Sequence, residues 1–153
     1  IGSRRNPRDL AVSSLTLVDR QGDVRGRMSV TDDGFASLVL SNAKGEPGLG
    51  LTVAEGGRPS IVLFDAQGTI RFAARVTEEN RVKVDLFDTE RRERVALAVS
   101  PAGNACIGVC GADEINGAIL VATEEGRAAV GITDPKGRPL FSAPGMTGST
   151  PLR

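Results

Sequence analysis

Two cysteines, Cys106 and Cys110, are the side chains of this sequence best suited to redox or metal chemistry. Residues four apart in a β-strand lie on one face, about 13 Å from each other at a rise of about 3.3 Å per residue. A disulfide needs Cα atoms within roughly 7 Å, so these two thiols are too far apart to pair. Metal binding would need further ligands, and the sequence has no His and no third Cys. We interpret both as small apolar residues, typical of a reducing compartment.

The absence of histidine removes most catalytic arrangements. Ser/His/Asp and Cys/His nucleophile systems, the common zinc sites and the usual general base near neutral pH all need it. The glycines of GLGL at 48–51 lack the third glycine and the following helix of a dinucleotide-binding loop, and Gly108 and Gly111 form no phosphate-binding pattern. We therefore predict no catalytic residue, no cofactor and no metal site, and we expect that the protein is not an enzyme.

Two groups of charged residues suggest binding. Asp32 and Asp33 precede glutamates in later turns, but the spacing of a calcium loop is absent and solvation of turns explains them. Arg25, Arg71 and Arg94 occupy equivalent positions of a periodic pattern, on the strand face opposite the aliphatic residues. We interpret this arginine column either as a dock for an acidic partner or lipid headgroups, or as an exposed face whose long side chains cover apolar neighbours.

Length and composition indicate one compact domain with a neutral surface. The chain has 153 residues, 19 basic and 19 acidic side chains, and a formal net charge of zero, so a nucleic-acid partner is not expected. Its aromatic residues are five Phe, without Trp or Tyr, which disfavours sites that stack bases or sugars. The chain does not begin with Met, which suggests a processed or truncated protein and is compatible with a targeting or membrane segment upstream.

A pattern of 23 residues repeats along the chain without gaps. Its copies begin at Leu15, Leu38, Ile61, Val84, Ile107 and Val130, and the position two residues later is also aliphatic in all of them. The clearest copy reads IVLFDAQGTIRFAARV, at 61–76. Such internal self-similarity is the signature of a repeat architecture.

Each copy contains two predicted hairpin turns. The first has Asp or Asn three residues before Gly in four copies, but Arg91 replaces the Gly in the fourth copy, and Gly111 and Glu114 replace both residues in the fifth. The second has Gly34, Gly57, Gly103 or Gly126, with Asn80 in one copy. Gly and Asn are the residues that best adopt positive φ, as a type I turn with a G1 bulge requires. We predict a three-residue second loop at 32–34 and a four-residue first loop at 20–23. One odd and one even loop keep the aliphatic residues on one face.

These observations predict an all-β fold of six tandem 23-residue β-hairpin repeats. They form an antiparallel meander of about 12 strands that is closed, curled or prism-like, with the aliphatic positions buried on one face. A hairpin is favoured over a short helix at Thr89 to Ala98. Residues 1–10 are interpreted as a basic N-terminal arm or linker, 11–143 as the hairpin domain, and 144–153 as a C-terminal tail.

The pattern LxLxDxxGxxRxxLxV, with a glycine turn and a closing GRPLFSAP, resembles uncharacterised bacterial proteins built from tandem β-hairpins, some of which are membrane-anchored. The resemblance covers Leu15 to Pro144 and implies a scaffold or interaction role. The period also equals that of MORN repeats, but their aromatic and glycine signature is missing, so we reject that membership. No functional residue is transferred from either group.

Two functions remain open. The first is a non-catalytic structural or interaction domain, an extrinsic or anchored scaffold subunit of a larger bacterial assembly that is membrane-associated through a segment absent from this chain. The second is a small-ligand or glycan-binding module of β-prism or trefoil type. For the first we expect a protein partner or homo-oligomer, with contacts near 106–117, at Cys106, Val109, Cys110 and Ile115. The face with Arg25, Arg71 and Arg94 is the alternative contact.

Overall fold

A computed structural model describes residues 10–111 and 117–143, and every regular element in these ranges is a β-strand. The predicted N-terminal arm, apart from its last residue, and the predicted C-terminal tail lie outside the described residues. The strands are β1 (Ser14–Val18), β2 (Val24–Val30), β3 (Ala36–Ser41), β4 (Pro47–Val53), β5 (Pro59–Phe64), β6 (Ile70–Val76), β7 (Val82–Phe87), β8 (Glu93–Val99), β9 (Ala105–Cys110), β10 (Gly117–Ala122), β11 (Ala128–Thr133) and β12 (Pro139–Ala143).

The strands form one antiparallel meander in which each strand pairs with its neighbours in sequence, from β1 to β12. The all-β prediction is confirmed. So is the hairpin at Thr89 to Ala98, since β8 begins at Glu93 and no helix forms there. The sheet is open, because within the described ranges only consecutive strands contact one another. A sheet closed by pairing of β1 with β12 is therefore wrong for the single chain.

The first turn of each hairpin pair, here called the Asx turn, is organised by a carboxylate or amide oxygen. Oδ1 of Asp65 accepts hydrogen bonds from the backbone N–H groups of Gln67 at 3.0 Å and Thr69 at 2.9 Å. The same two bonds recur at Asp19, Asn42, Asp88 and Asp134. Short Asx side chains stabilise turns in this way, so the column of Asp and Asn has a structural role.

The second turn, here called the hydroxyl turn, uses a Ser or Thr side chain. Oγ1 of Thr77 accepts a hydrogen bond from the N–H of Arg81 at 3.2 Å. The equivalent bond is made at Thr31, Ser100 and Thr123. One turn of this kind has Ala54 in place of the hydroxyl residue and keeps only the backbone bonds. Among the described residues, turns of the first and second kind lie at opposite ends of the strands.

The four-residue loop predicted at 20–23 is wrong. The N–H of Asp19 donates to the carbonyl of Asp23 at 3.0 Å, so the loop is 20–22 and has three residues, as in the hydroxyl turns. If both loops had an odd number of residues and the strands were regular, the aliphatic residues of successive 23-residue units would lie on opposite faces of the sheet. An additional feature must restore the alternation.

That feature is a β-bulge beside the Asx turn. The register shifts after Leu17, which leaves Arg25 as one extra residue in β2. Similar shifts follow the other described Asx turns. A bulge residue has the same effect on the alternation as an extra loop residue. Leu17 therefore still pairs with Gly26, and Leu15 with Met28, as predicted.

Positive φ values occur at the predicted glycines, including Gly34, Gly57, Gly68 and Gly126, and at Asn80 with φ 57°. One residue with a long side chain also adopts this conformation, because Arg91 has φ 66° at the place where the preceding copy has Gly68. A side chain with a Cβ is strained in the left-handed region. Among the described Asx turns, the one at Arg91 is therefore the least favourable.

We expect that Arg91→Gly stabilises the protein by about 1 kcal/mol, because it relieves this backbone strain. The reciprocal variant Gly68→Arg should destabilise it by a similar amount, since the space around Gly68 is open and only the backbone conformation opposes a side chain. Urea unfolding of both variants measures the two effects. A loss of stability in Arg91→Gly would contradict the strain argument.

Candidate interaction surface

One face of the sheet, here called the apolar face, carries only apolar residues in three rows of directly paired positions. The row beside the Asx turns contains Leu17, Gly26, Leu40, Leu49, Leu63, Phe72, Leu86, Val95, Val109, Ala118, Ile132 and Phe141. The middle row contains Leu15, Met28, Leu38, Leu51, Ile61, Ala74, Val84, Leu97, Ile107, Leu120, Val130 and Ala143. The row beside the hydroxyl turns contains Val30, Ala36, Val53, Pro59, Val76, Val82, Val99, Ala105, Ala122 and Ala128.

The apolar face is open to solvent in the single chain. Leu63 is 41% exposed, Ile107 42% and Met28 58%. For the single chain, the prediction that the aliphatic positions are buried on one face is wrong at Leu15, Leu17, Leu40, Ile61, Leu63 and Leu86, and Leu38 and Val84 are only partly buried. The reason is that the described strands make one layer, with contacts only between consecutive strands, so no second element covers the face. A pattern of alternating residues shows which side chains avoid water, but not what they pack against.

The apolar face is large. Twelve strands spaced about 4.8 Å apart, ten of them with three same-face residues and the two edge strands with two, give it dimensions of about 50 by 17 Å, on the order of 900 Å². The largest apolar patch on a typical monomeric protein is about 300–600 Å². A standard protein interface takes about 800 Å² from each partner. The apolar face therefore has the size of a complete interface.

The opposite face, here called the mixed face, consists of the alternate residues of each strand, such as Arg27 in β2 and Ala73 in β6. Ala73, Ala96 and Ala98 are buried on it. The most buried side chain of the described residues is also here, since Asp85 has an exposure of 0%. The larger side chains of this face shield its centre, whereas the apolar face has no such cover.

Asp85 is held by two cations. Its carboxylate lies 2.8 Å from the Arg75 guanidinium and 3.0 Å from Nζ of Lys83, and Lys83 also contacts Glu93 at 2.8 Å. Burial lowers the pKa of Lys83, but hydrogen bonds and charge interactions with Glu93 and Asp85 outweigh it and raise the pKa above its usual value. This network neutralises a buried charge, and the Asp85 carboxylate has no exposed surface that a substrate could reach. We interpret it as structural.

The arginine column braces the Asx turns. Nε of each Arg donates to a carbonyl of the next strand: Arg25 to Ser41 at 3.3 Å, Arg71 to Phe87 at 2.9 Å, and Arg94 to Cys110 at 3.0 Å. Nη1 of each Arg lies within ion-pair distance of an Asx-turn carboxylate, that of Asp19, Asp65 or Asp88, at 3.3–3.5 Å. These side chains already have partners within the chain, so their guanidinium groups are only partly available to an external anion.

The ion pairs make the Asx turns sensitive to acid. Partial burial raises the pKa of Asp88, but the Arg92 guanidinium and the N–H groups of Arg92 and Glu90 lower it more, from 3.8 to about 2. A carboxylate with a depressed folded-state pKa stabilises the fold above its unfolded pKa and loses this contribution as the pH falls towards the folded value. Stability should therefore decrease between pH 4 and pH 2.

We expect that Asp88→Asn weakens this acid dependence, because the amide keeps the Oδ1 acceptor but loses the charge, as Asn42 shows in an earlier Asx turn. The pKa values of Asp19, Asp65 and Asp134 are also lowered by their hydrogen bonds to Arg side chains and backbone, against the effect of burial. Part of the dependence should thus remain. Urea unfolding from pH 5 to pH 2 measures it, and an unchanged slope in the variant would contradict the assignment.

The predicted contact residues lie on two faces. Val109 belongs to the apolar face and is 50% exposed, whereas Cys106 and Cys110 lie on the mixed face with Arg25, Arg71 and Arg94 near its border. The two cysteines are partly exposed and form no disulfide. Ile115 lies outside the described residues. The structure thus does not bring the predicted contacts into one patch, and their role with a partner stays a prediction.

The sequence reasoning did not single out the apolar face as a candidate interaction surface, because its residues were assigned to a core. In residues 10–111 and 117–143 there is no cluster of three or more side chains able to hold a metal ion. No helix in the described part of the chain is long and apolar enough to cross a bilayer. No protein-family model matches the sequence, and no curated protein is significantly similar to it.

Proposed function

We propose that this protein is a non-catalytic structural module that works by association, and that its apolar face is the interface. The observation that supports this is a single-layer sheet with one apolar face, on which many large side chains are exposed, from Leu40 at 38% to Met28 at 58%. Exposed apolar area of this size is unfavourable in water, at about 25 cal/mol per Å². Burying it against a protein is the change that would stabilise the chain most.

The form of the face favours a macromolecular partner over a small ligand. Small-molecule sites are concave and combine an apolar wall with a few polar groups that fix the ligand. The apolar face has three long rows of hydrocarbon side chains, with no charged or hydroxyl residue among its paired positions. We therefore prefer the scaffold function to the glycan-binding alternative.

The wider setting is also a proposal. The resemblance of the turn pattern to bacterial tandem-hairpin proteins supports a scaffold subunit of a bacterial assembly, anchored at a membrane through a segment outside this sequence. In such an assembly the rigid sheet supplies area rather than chemistry. The charges of the mixed face are largely paired within the chain, which leaves the apolar face as the surface most in need of a partner.

The test compares two double variants. Met28→Glu with Ile107→Glu places two charges on the apolar face, while Thr16→Glu with Arg27→Glu changes two exposed residues of the mixed face. Sedimentation velocity gives the mass of the purified proteins, and blue-native electrophoresis gives that of the complex in extracts of the native host. We expect the first variant to lose its association and the second to keep it.

Circular dichroism should show β-structure in both variants, because all four positions are exposed in the single chain. If wild type and both variants sediment as monomers, and no larger complex occurs in the extract, the proposed function is wrong. Loss of association in the mixed-face variant alone would also contradict it.

A further inference from the structure

We infer that the occupant of the apolar face is a second copy of this chain, packed face to face in a two-sheet sandwich. The two-fold axis runs across the strands, so that each strand faces the same strand of the partner in the opposite orientation. This inference rests on the proposed function and specifies its partner. It predicts which rows of side chains meet.

The area is the first argument. The face contributes on the order of 900 Å² per chain, so two copies bury about 1,800 Å², within the range of about 1,200–2,000 Å² for stable interfaces. A partner that covers only part of the length would leave several strands exposed. The apolar face of a second copy has the required length of about 50 Å and the same strand spacing of about 4.8 Å. Two such sheets pack about 10 Å apart.

The gradient of side-chain size across the face is the second argument, and it selects the axis. The row beside the Asx turns is rich in large residues, such as Leu63, Phe72 and Leu86, while the row beside the hydroxyl turns contains only Val, Ala and Pro. A two-fold axis across the strands places the large row of one sheet on the small row of the other. The gap between the sheets then stays even, and interiors tolerate no large voids. An axis along the strands would place large on large and small on small.

The charge distribution is the third argument. Surfaces that bind anionic membranes or nucleic acids use Lys and Arg for electrostatic attraction. No basic residue belongs to the three rows of the apolar face, and the formal net charge of the chain is zero. A self-complementary neutral surface suits a symmetric dimer, in which one patch serves both partners.

The experiment uses cysteines in the full chain with Cys106→Ala and Cys110→Ala. Ile61→Cys and Leu120→Cys lie in the middle row, in β5 and β10, and Arg27→Cys lies exposed on the mixed face as the control. A short bismaleimide bridges thiols across a sheet separation of about 10 Å. In the inferred dimer each middle-row residue faces its own copy. Each of the two single variants should therefore give a covalent dimer, and Arg27→Cys should not.

The axis along the strands predicts a different result, in which Ile61→Cys crosslinks with Leu97→Cys of the partner but not with itself. That result would overturn the inference, as would a covalent dimer of Arg27→Cys at the same yield. Sedimentation of the uncrosslinked protein should give twice the chain mass. If the purified protein is a monomer but joins a complex in native extracts, and loses that complex when its apolar face is altered, the inferred dimer is wrong and the proposed function stands. If the protein is a monomer and no such complex occurs, both the inferred dimer and the proposed function are wrong.

Discussion

Truncating Leu63 to Ala should lower the free energy of unfolding of the associated protein by about 2–5 kcal/mol, the range for Leu→Ala at well-packed sites. In the single chain Leu63 is 41% exposed and its neighbours on the apolar face have no cover. Full burial of a Leu side chain contributes about 1.5–3 kcal/mol, so partial burial accounts for about 1 kcal/mol. In the proposed assembly, the remainder of the expected loss arises from contacts of Leu63 with the partner.

The measurement is urea unfolding of Leu63→Ala in two backgrounds, the wild type and the variant with Met28→Glu and Ile107→Glu. The loss should be at least twice as large in the wild-type background, because only there is Leu63 covered. Its unfolding midpoint should also rise with protein concentration, as for any protein stabilised by binding its own copy. Equal losses in both backgrounds, without a concentration dependence, would show that Leu63 is covered by nothing beyond its own sheet.

Replacing Lys83 by Met should destabilise the protein by about 3 kcal/mol, towards the lower limit of about 3–5 kcal/mol for removing one partner of a buried ion pair. Asp85 has no exposed surface and would keep only the Arg75 guanidinium, while Glu93 would lose the Lys83 ammonium. The remaining Arg75 and the partial exposure of the Lys83 side chain are the reasons for choosing the lower limit.

Two further variants separate charge from packing. Lys83→Arg keeps a cation beside Asp85 and should cost much less than Lys83→Met. Adding Asp85→Leu to Lys83→Met removes the buried carboxylate and should restore most of the lost stability, which a double-mutant cycle by urea unfolding measures. If Asp85→Leu with Lys83→Met is less stable than Lys83→Met alone, the network is more than a neutralised buried charge.

The strands, their order and the turn conformations could be predicted because the sequence marks them locally. Gly68 and Asn80 stand where the backbone needs positive φ, and the Asx oxygen of Asp65 bonds the backbone of its own turn. The side-chain alternation then determined the pairing of Leu17 with Gly26. These interactions span a few residues, so the residue types that make them recur at visible spacings.

The β-bulges, the burial of Asp85 and the exposure of the apolar face depend on interactions that no local sequence pattern indicates. A bulge at Arg25 and a longer loop give the same alternation, so the sequence could not separate them. The burial of Asp85 had a weak signal, because the predicted register places Lys83 opposite Arg75 beside it. The exposure of the apolar face had no signal in the sequence. A column of aliphatic residues has the same composition whether another part of the chain or a partner covers the face that it forms.

Strand pairing restricted to sequence neighbours also bears on how such a chain changes length. Suppose that two consecutive strands are removed together with one turn of each kind. The strand that then follows the deletion has the same direction as the first removed strand and places its apolar residues on the same face, so the antiparallel pairing of neighbours is preserved. The sheet would shorten by two strand spacings, about 9–10 Å. Tandem duplication of such a segment would lengthen it by the same step, so the number of hairpins sets the span of the sheet.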